Sequence, residues 1–347
     1  MRLNFKTEKV SNMINAFKLS ILFLLVLIIG LHLWSAEVFV QSWHDLSILH
    51  DTARTFLNGE GLYPKIHPEF NDGREMLLYG PIYFVLQGGV IALFGKSHLI
   101  GVILSLISGF AFAFAVYRYA KVYWTPLAYL IFLVLLFSDA VFVSGMHNGR
   151  MDILASLFTF IAFLKAIDFK GKTNQVFWIS LWATSAVLTT PRIAVILLPS
   201  LLFIAFQLIF KYKNLKQILL FIGLPLALVS LWIQFGFGGY SKVYDYFFVD
   251  QTLHLNEEGN LVSKFIGAGF TMLKTQYVLY LALVISSILV CFKDKSTLKK
   301  PWFFISWLSI IAFYLLIIDF GNYSLLVIYI SYFLLIKLAL ELITQNI

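Results

Sequence analysis

The sequence predicts an all-α polytopic membrane protein with about ten transmembrane helices and two interfacial helices. Two observations carry this prediction. Of the 347 residues, 60% are hydrophobic and only 13% are charged, with a mean hydropathy of +0.85, whereas soluble domains carry about 25% charged residues. Apolar stretches of about 20 residues, the length that crosses a bilayer, also recur along the whole chain. These observations exclude a soluble enzyme and predict one membrane domain over residues 1–347.

The candidate spans are windows that contain no charged residue. They are residues 19–36, 76–95, 97–117, 122–138, 173–191, 193–210, 217–241, 275–292, 301–318 and 320–336. A shorter window, 153–164, spans only if Lys165 extends its side chain to the membrane interface. The first window resembles a signal peptide, but Trp34 stands where a small residue would precede the cleavage point. We therefore interpret it as an uncleaved anchor.

Basic residues set the predicted orientation. By the positive-inside rule, the basic N-terminal segment stays in the cytoplasm. If the first three windows all crossed, every later basic loop would face outward. Window 76–95 is the weakest, because its glycines, proline and glutamine allow a continuous helix only from Pro81 to about Gly95. With that helix at the interface, ten helices cross, both termini are cytoplasmic, and the net charge of +8 reflects inner loops rather than nucleic-acid binding.

Two predicted outer segments are long, and long loops with mixed charge are candidates for function. The first outer region, 37–96, contains apolar residues spaced by three or four between Leu46 and Leu57, followed by Asn58-Gly59. This pattern predicts an amphipathic helix that lies flat on the surface. A second interfacial helix is expected from Pro81, which suits a first helical turn. The other long segment is 237–274.

Four groups of residues, all on the predicted outer side, occur in the same order as motifs of a known protein family. They are Asp45 with Ala53-Arg54, Leu57, Gly59, Tyr63-Pro64, Tyr79-Gly80-Pro81-Ile82-Tyr83 and Phe94-Gly95; then Gly149-Arg150-Met151-Asp152-Ile153-Leu154; then Leu188-Thr189-Thr190-Pro191-Arg192; and finally Tyr246-Phe247-Phe248 through His254. Together they resemble the outer loops of GT-C glycosyltransferases, integral-membrane enzymes that include protein O-mannosyltransferases and lipid A aminoarabinose transferases.

The resemblance implies a sugar donor on a polyprenyl phosphate, transfer on the outer leaflet, and a catalytic base in the first loop. Asp45 stands in that place, and a carboxylate suits the task of taking the proton from an acceptor hydroxyl. The phosphate leaving group needs no second acid. Asp152 would orient the acceptor or assist the base. Each aspartate also has a structural interpretation, as a helix N-cap, and Asp152 further as a local partner of Arg150.

The remaining candidates on the predicted outer side are residues that would bind the substrate. Arg150 and Arg192 depart from the positive-inside rule, which either phosphate binding by a guanidinium or contact with lipid headgroups explains. The expected substrate-binding set is Arg150, Arg192, His147, Tyr79, Glu75 and His254. The histidines could also join Asp45 or Glu75 around a divalent metal, although no ligand spacing supports one. The sequence specifies no other cofactor. Asp139 is costly in a span unless it is paired or near the surface.

The predicted function is therefore inverting transfer of a sugar from a polyprenyl-phosphate donor to a hydroxyl on a lipid, glycan or protein acceptor. Its expected location is the cytoplasmic membrane of a bacterial cell envelope, with the active site facing outward. Two alternatives stay open: a transporter or flippase of lipid-linked sugar, and a polysaccharide polymerase or ligase that uses a lipid-diphosphate donor. Nucleic acid is not an expected partner.

Overall fold

The computed structural model describes residues 19–20, 22–24, 26–28, 30–31, 34, 44–62, 65–66, 79–95, 98–234, 240–241, 261–293, 295–316 and 325–344. Within these ranges every regular element is helical, as the sequence predicts, and the described residues between 19 and 34 are helical too. The other helices are α1 His44–Leu57, α2 Pro81–Phe94, α3 His98–Tyr123, α4 Pro126–Ser138, α5 Ala140–His147, α6 Asp152–Ile167, α7 Thr173–Val187, α8 Ala194–Phe206, α9 Leu215–Trp232, α10 Leu261–Lys293, α11 Pro301–Leu316 and α12 Leu325–Thr344.

Apolar helices of membrane-spanning length are present, as a multi-pass membrane protein requires. Among the described residues, four stretches are long and apolar enough to cross a bilayer: Val102–Tyr123, Pro191–Tyr212, Leu215–Trp232 and Gln276–Lys293. The bent pair α4 and α5 makes a fifth if it counts as one span. The ten predicted spans are thus not all of spanning length, since α6 and α7 have only 16 and 15 residues.

Several predicted boundaries differ from those of the structure. Window 122–138 is not one continuous helix. Helix α3 continues to Tyr123, and Pro126 starts a new helix whose N-cap, Thr125, accepts from the Ala128 N–H at 3.2 Å. Beyond Ser138 the chain bends by 66° and continues as α5, which the sequence analysis did not predict. The predicted loop 237–274 is likewise helical from Leu261 onward.

The two helices predicted for the first outer region are both confirmed. Helix α2 begins at Pro81 and ends at Phe94, where the Gly95 N–H bonds to Ile91 O at 2.9 Å. Helix α1 ends at Leu57, before Asn58-Gly59. Proline at the first helical position and glycine after the last one explain why these ends could be predicted.

Helix α6 is the centre of the bundle. Twelve of its 16 residues are buried, including polar Ser156 and Thr159, as expected of a helix that packs on all sides. It packs against α3, α7, α8 and α12. Phe112 of α3 lies at the core beside it, with its ring centroid 4.7 Å from that of Phe160 and 3.7 Å from that of Tyr329. Aromatic packing therefore holds α3, α6 and α12 together.

Helix α9, unlike α6, is almost entirely exposed at the surface of the bundle. Only 6% of its span is buried, and large apolar side chains such as Leu219 and Leu226 are about three-fifths exposed, at 62% and 61%. It packs mainly along α7. Its outward side is therefore apolar, as lipid contact requires.

Candidate functional site

A buried ion pair lies at the turn between α5 and α6. Arg150 Nε donates to Asp152 Oδ2 at 2.7 Å, and both residues are almost completely buried, with exposed fractions of 4% and 3%. Asp152 is the first residue of α6, after its N-cap Met151. The predicted pairing of Asp152 with Arg150 is thus confirmed, whereas the N-cap interpretation is wrong. A carboxylate in this first turn is also favoured by the helix dipole.

The backbone of this turn is held by three neighbouring side chains. Asn148 Oδ1 accepts from the Arg150 N–H at 3.0 Å, and Ser105 of α3 donates to Arg150 O at 3.0 Å. The Tyr83 hydroxyl of α2 donates to Gly149 O at 2.5 Å. Gly149 has φ of 65°, a conformation that favours glycine. These hydrogen bonds fix the direction in which the ion pair leaves the turn.

The hydroxyl of Tyr83 stays protonated under ordinary conditions. Tyr83 is fully enclosed, and this burial, reinforced by the nearby negative charge of Asp152, raises its pKa above the usual value, although the positive charge of Arg150 opposes the change. The hydroxyl therefore acts as a lasting donor to Gly149, and α2 is joined to the turn that carries the ion pair.

The start of α2 also meets the stretch 188–192. The Gly80 N–H donates to Thr189 O, and the Ile82 N–H donates to Leu188 O, both at 3.2 Å. The approach is so close that a Cβ on Gly80 would lie 1.7 Å from Leu188 O. The stretch 79–83 is thus in direct contact with both 149–152 and 188–192. We call this contact the junction.

Helix α1 packs on α2 behind the junction. Gln87 of α2 is completely buried, and its Nε2 donates to Ile100 O at 3.0 Å and lies 3.4 Å from His50 Nδ1 of α1. An apolar cluster continues this contact toward the turn. Its buried members are Ile48, Leu49, Ala53, Tyr83, Phe84, Ile91, Ile100, Leu104, Met151 and Leu154. Residues of α1, α2, α3 and α6 therefore share one small core beneath the junction.

A second ion pair orders the first loop. Asp51 Oδ1 lies 2.5 Å from Arg54 Nη2, one turn along α1. The other oxygen of Asp51 accepts from the Ile66 N–H at 3.0 Å, so it also holds the chain that follows α1. Asp51 is only 6% exposed. This carboxylate was not predicted as a functional residue, and its contacts give it a structural role.

The predicted site residues fall into three groups. Arg150 and Asp152 form the buried pair, Tyr79 is half-buried against the same small core, and His147 is the half-buried last residue of α5. Arg192 is exposed, in the short turn Pro191–Ile193.

The third group is only partly described. The backbone of Asp45 is in the first turn of α1, which begins at His44 rather than after Asp45, so Asp45 is not its N-cap. The Asp45 carboxylate, Glu75 and His254 lie outside the described residues. Among the described residues, no three His, Cys, Asp or Glu side chains lie together as metal ligands would.

Sequence reasoning missed several polar residues that build the site. Gln87 was noticed only as an interruption of an apolar window, yet a glutamine within a short apolar helix was itself a signal of a buried hydrogen bond. Ser105 gave no comparable signal, because a serine within a helix commonly bonds only to the backbone of its own helix.

The chemistry of the junction follows from its buried charges. A guanidinium carries five N–H donors in a planar fork, so one arginine can bind a carboxylate and an oxyanion together.

Comparison of the chain with protein-family models, with curated proteins and with solved structures finds no match.

Proposed function

We propose that this chain is an inverting membrane glycosyltransferase that moves a sugar from a polyprenyl-phosphate donor to a hydroxyl acceptor on the outer leaflet. The observation that supports it most is the junction. Three of the stretches that resemble GT-C outer loops are distant in sequence, yet 79–83 is hydrogen-bonded to both 149–152 and 188–192. Sequence matches that arose by chance would not be expected to lie in contact in the folded chain.

The proposed topology has ten membrane crossings, both termini in the cytoplasm, and α1 and α2 resting on the outer surface. The length of α2 supports it, because 14 residues of helix extend about 21 Å, less than the roughly 30 Å of a hydrocarbon core. Helix α6 is short as well, but it is surrounded by protein rather than lipid. In this arrangement the junction and both long loops face outward.

Asp45 is the proposed catalytic base. It stands one helical turn before Ile48 and Leu49, which are buried in the same small core as Met151. The start of α1 is therefore packed toward the turn that carries Arg150 and Asp152. A base here would remove the proton of the acceptor hydroxyl as that oxygen attacks the anomeric carbon and the bond to the donor phosphate breaks.

Arg150 is the proposed phosphate-binding residue, with Arg192 as a second cation at the rim. A buried guanidinium interacts strongly with an anion because little water screens it. Asp152 keeps this guanidinium oriented, which is a positioning role. His147, Tyr79, Glu75 and His254 remain predicted substrate contacts.

The proposal is tested by transfer assays in membranes supplied with radiolabelled polyprenyl-phosphate hexoses. Asp45→Asn is expected to abolish transfer while the protein still folds. The matched control is Glu60→Gln, since Glu60 follows the same helix and its ion pair with Lys65, at 2.5 Å, is partly exposed. Such surface pairs contribute at most about 1 kcal/mol, so the control should retain transfer. Transfer by Asp45→Asn at the wild-type rate contradicts the assigned base.

One observation favours the second candidate, a flippase of lipid-linked sugar. The bent pair α4 and α5 is a broken helix with Asp139 at the break, and transporters build ion and substrate sites from broken helices. Proteoliposomes that carry the labelled donor separate the two functions. Release of the sugar from its lipid indicates a transferase, and movement of the intact lipid between leaflets indicates a flippase.

A further inference from the structure

Asp139 sits at the break between α4 and α5. Its Oδ1 accepts hydrogen bonds from the Val141 N–H at 2.9 Å and the Phe142 N–H at 3.0 Å. These bonds cap α5 and fix the direction in which it leaves the break. A cap needs only this one oxygen.

The second oxygen of Asp139 reaches two other helices. Tyr332 of α12 donates its hydroxyl to Oδ2 at 2.9 Å, and Gln276 Nε2 of α10 lies 3.5 Å from the same oxygen. Gln276 is the kink of α10, with φ of −129° and ψ of 24°. Helix α10 starts at Leu261, within the predicted outer segment 237–274. One carboxylate therefore connects the break to α10 and α12.

The C-terminal end of α5 leads directly into the turn that carries the Arg150–Asp152 ion pair. Eight residues after Asp139 the helix ends at His147, and Asn148 caps it through an N–H bond to Ser144 O at 3.0 Å. The side chain of Asn148 accepts from the Arg150 N–H at 3.0 Å. Helix α5 has eight residues and extends about 12 Å. Asp139 holds its first turn and Asn148 holds its end, so this one short helix links the break to the turn of Arg150.

We propose that Asp139 is a positioning residue that sets the place of the Arg150–Asp152 pair through α5. Its second oxygen makes that position depend on α10 and α12 as well. The transfer readout of this inference rests on the proposed function, whereas its structural readout does not.

Hydrogen–deuterium exchange of the full chain in lipid nanodiscs gives the structural readout. Asp139→Ala removes both contacts and is expected to raise exchange in 148–152 about tenfold. Tyr332→Phe keeps the cap and should raise it about threefold. The matched control is Thr125→Ala, which removes the cap of the neighbouring helix α4 and should change exchange only near its own position.

The proposal is overturned if Asp139→Ala raises exchange only at 141–142 and leaves 148–152 as in the wild type. It is equally overturned if Thr125→Ala raises exchange at 148–152 as much as Asp139→Ala does. If Asp139→Ala does not fold, Tyr332→Phe decides alone, because it lacks only one hydroxyl and leaves the cap intact.

The transfer assay adds an independent comparison. With the labelled polyprenyl-phosphate donor, Tyr332→Phe should raise the KM for the donor about threefold and change kcat less, because the displaced group is the proposed phosphate-binding arginine. Asn148→Ala interrupts the same route, so the double variant should be no worse than the worse single variant. Additive losses contradict a shared route. A wild-type protein without transfer refutes the proposed function and leaves the exchange experiment to decide the role of Asp139.

Discussion

Gly80→Ala tests whether α2 and the 188–192 stretch meet as described. The added Cβ would lie 1.7 Å from Leu188 O and 2.0 Å from Leu188 C, both atoms of the backbone. Backbone cannot rotate away as the end of a flexible side chain can, so the two segments must separate. The hydrogen bonds from the Gly80 N–H and the Ile82 N–H would then be stretched or lost.

The expected loss of stability is large for a single methyl group. Two backbone hydrogen bonds contribute about 1 kcal/mol each, and overpacking costs about 1–3 kcal/mol, which gives roughly 3–5 kcal/mol in all. For a chain of 347 residues, the entropy of unfolding is about 0.7 kcal/mol per kelvin. The midpoint of unfolding should therefore fall by about 4–7 °C.

Thermal unfolding of the protein in nanodiscs, followed by circular dichroism, measures this change. The matched control is Gly89→Ala in the same helix, where a Cβ meets no atom within 4 Å. Alanine gains up to about 1 kcal/mol of helix propensity there, so the control should unfold at the wild-type temperature or slightly above it. Equal midpoints for the two variants would refute the close approach at Gly80.

Three further variants have defined outcomes in the same unfolding measurement. Asp152→Ala leaves the Arg150 charge buried without its carboxylate and should cost about 3–5 kcal/mol; replacing both residues with apolar ones should recover most of that loss, and additive losses would contradict a coupled pair. Gly171→Ala should cost about 2–4 kcal/mol, because φ is 76° and the new Cβ would lie 2.1 Å from the Tyr212 ring; an unchanged midpoint contradicts that packing. Burial raises the pKa of Asp168 despite opposing contacts, so its charged form weakens the fold as pH rises through that raised value. Asp168→Asn should therefore be more stable than the wild type at pH 7 but not near pH 3, and a difference that does not vary with pH refutes this reasoning.

The two helices of the first outer region could be predicted from the sequence because their signals are local. Pro81 and Gly95 delimit α2, and the apolar spacing that ends at Leu57 delimits α1. Asp139 shows where a local pattern is insufficient. A carboxylate in an apolar stretch was expected to need a partner, but its partner Tyr332 is nearly 200 positions away. Only the packing of α5 against α12 brings the two together.

One contact of the candidate site could be predicted from the sequence, and another could not. The Arg150–Asp152 pair is separated by two positions, so its pairing followed from sequence spacing. The contact of Gly80 with Leu188 did not, because it depends on how α2 meets the end of α7. Among the described residues, four helices, or five with the bent pair, are long and apolar enough to cross a membrane. The count of ten spans stays a prediction, because charge-free windows count apolar residues without showing where a helix breaks.

The contrast between α6 and α9 has a consequence for how much change each helix tolerates. Every side of α6 touches protein, so few substitutions keep its volume and shape. Helix α9 presents most of its circumference to the surroundings, where one aliphatic side chain replaces another without rearranging a neighbour. A library of random variants selected for folded protein should accordingly accept diverse apolar sequences along α9 and return α6 almost unaltered.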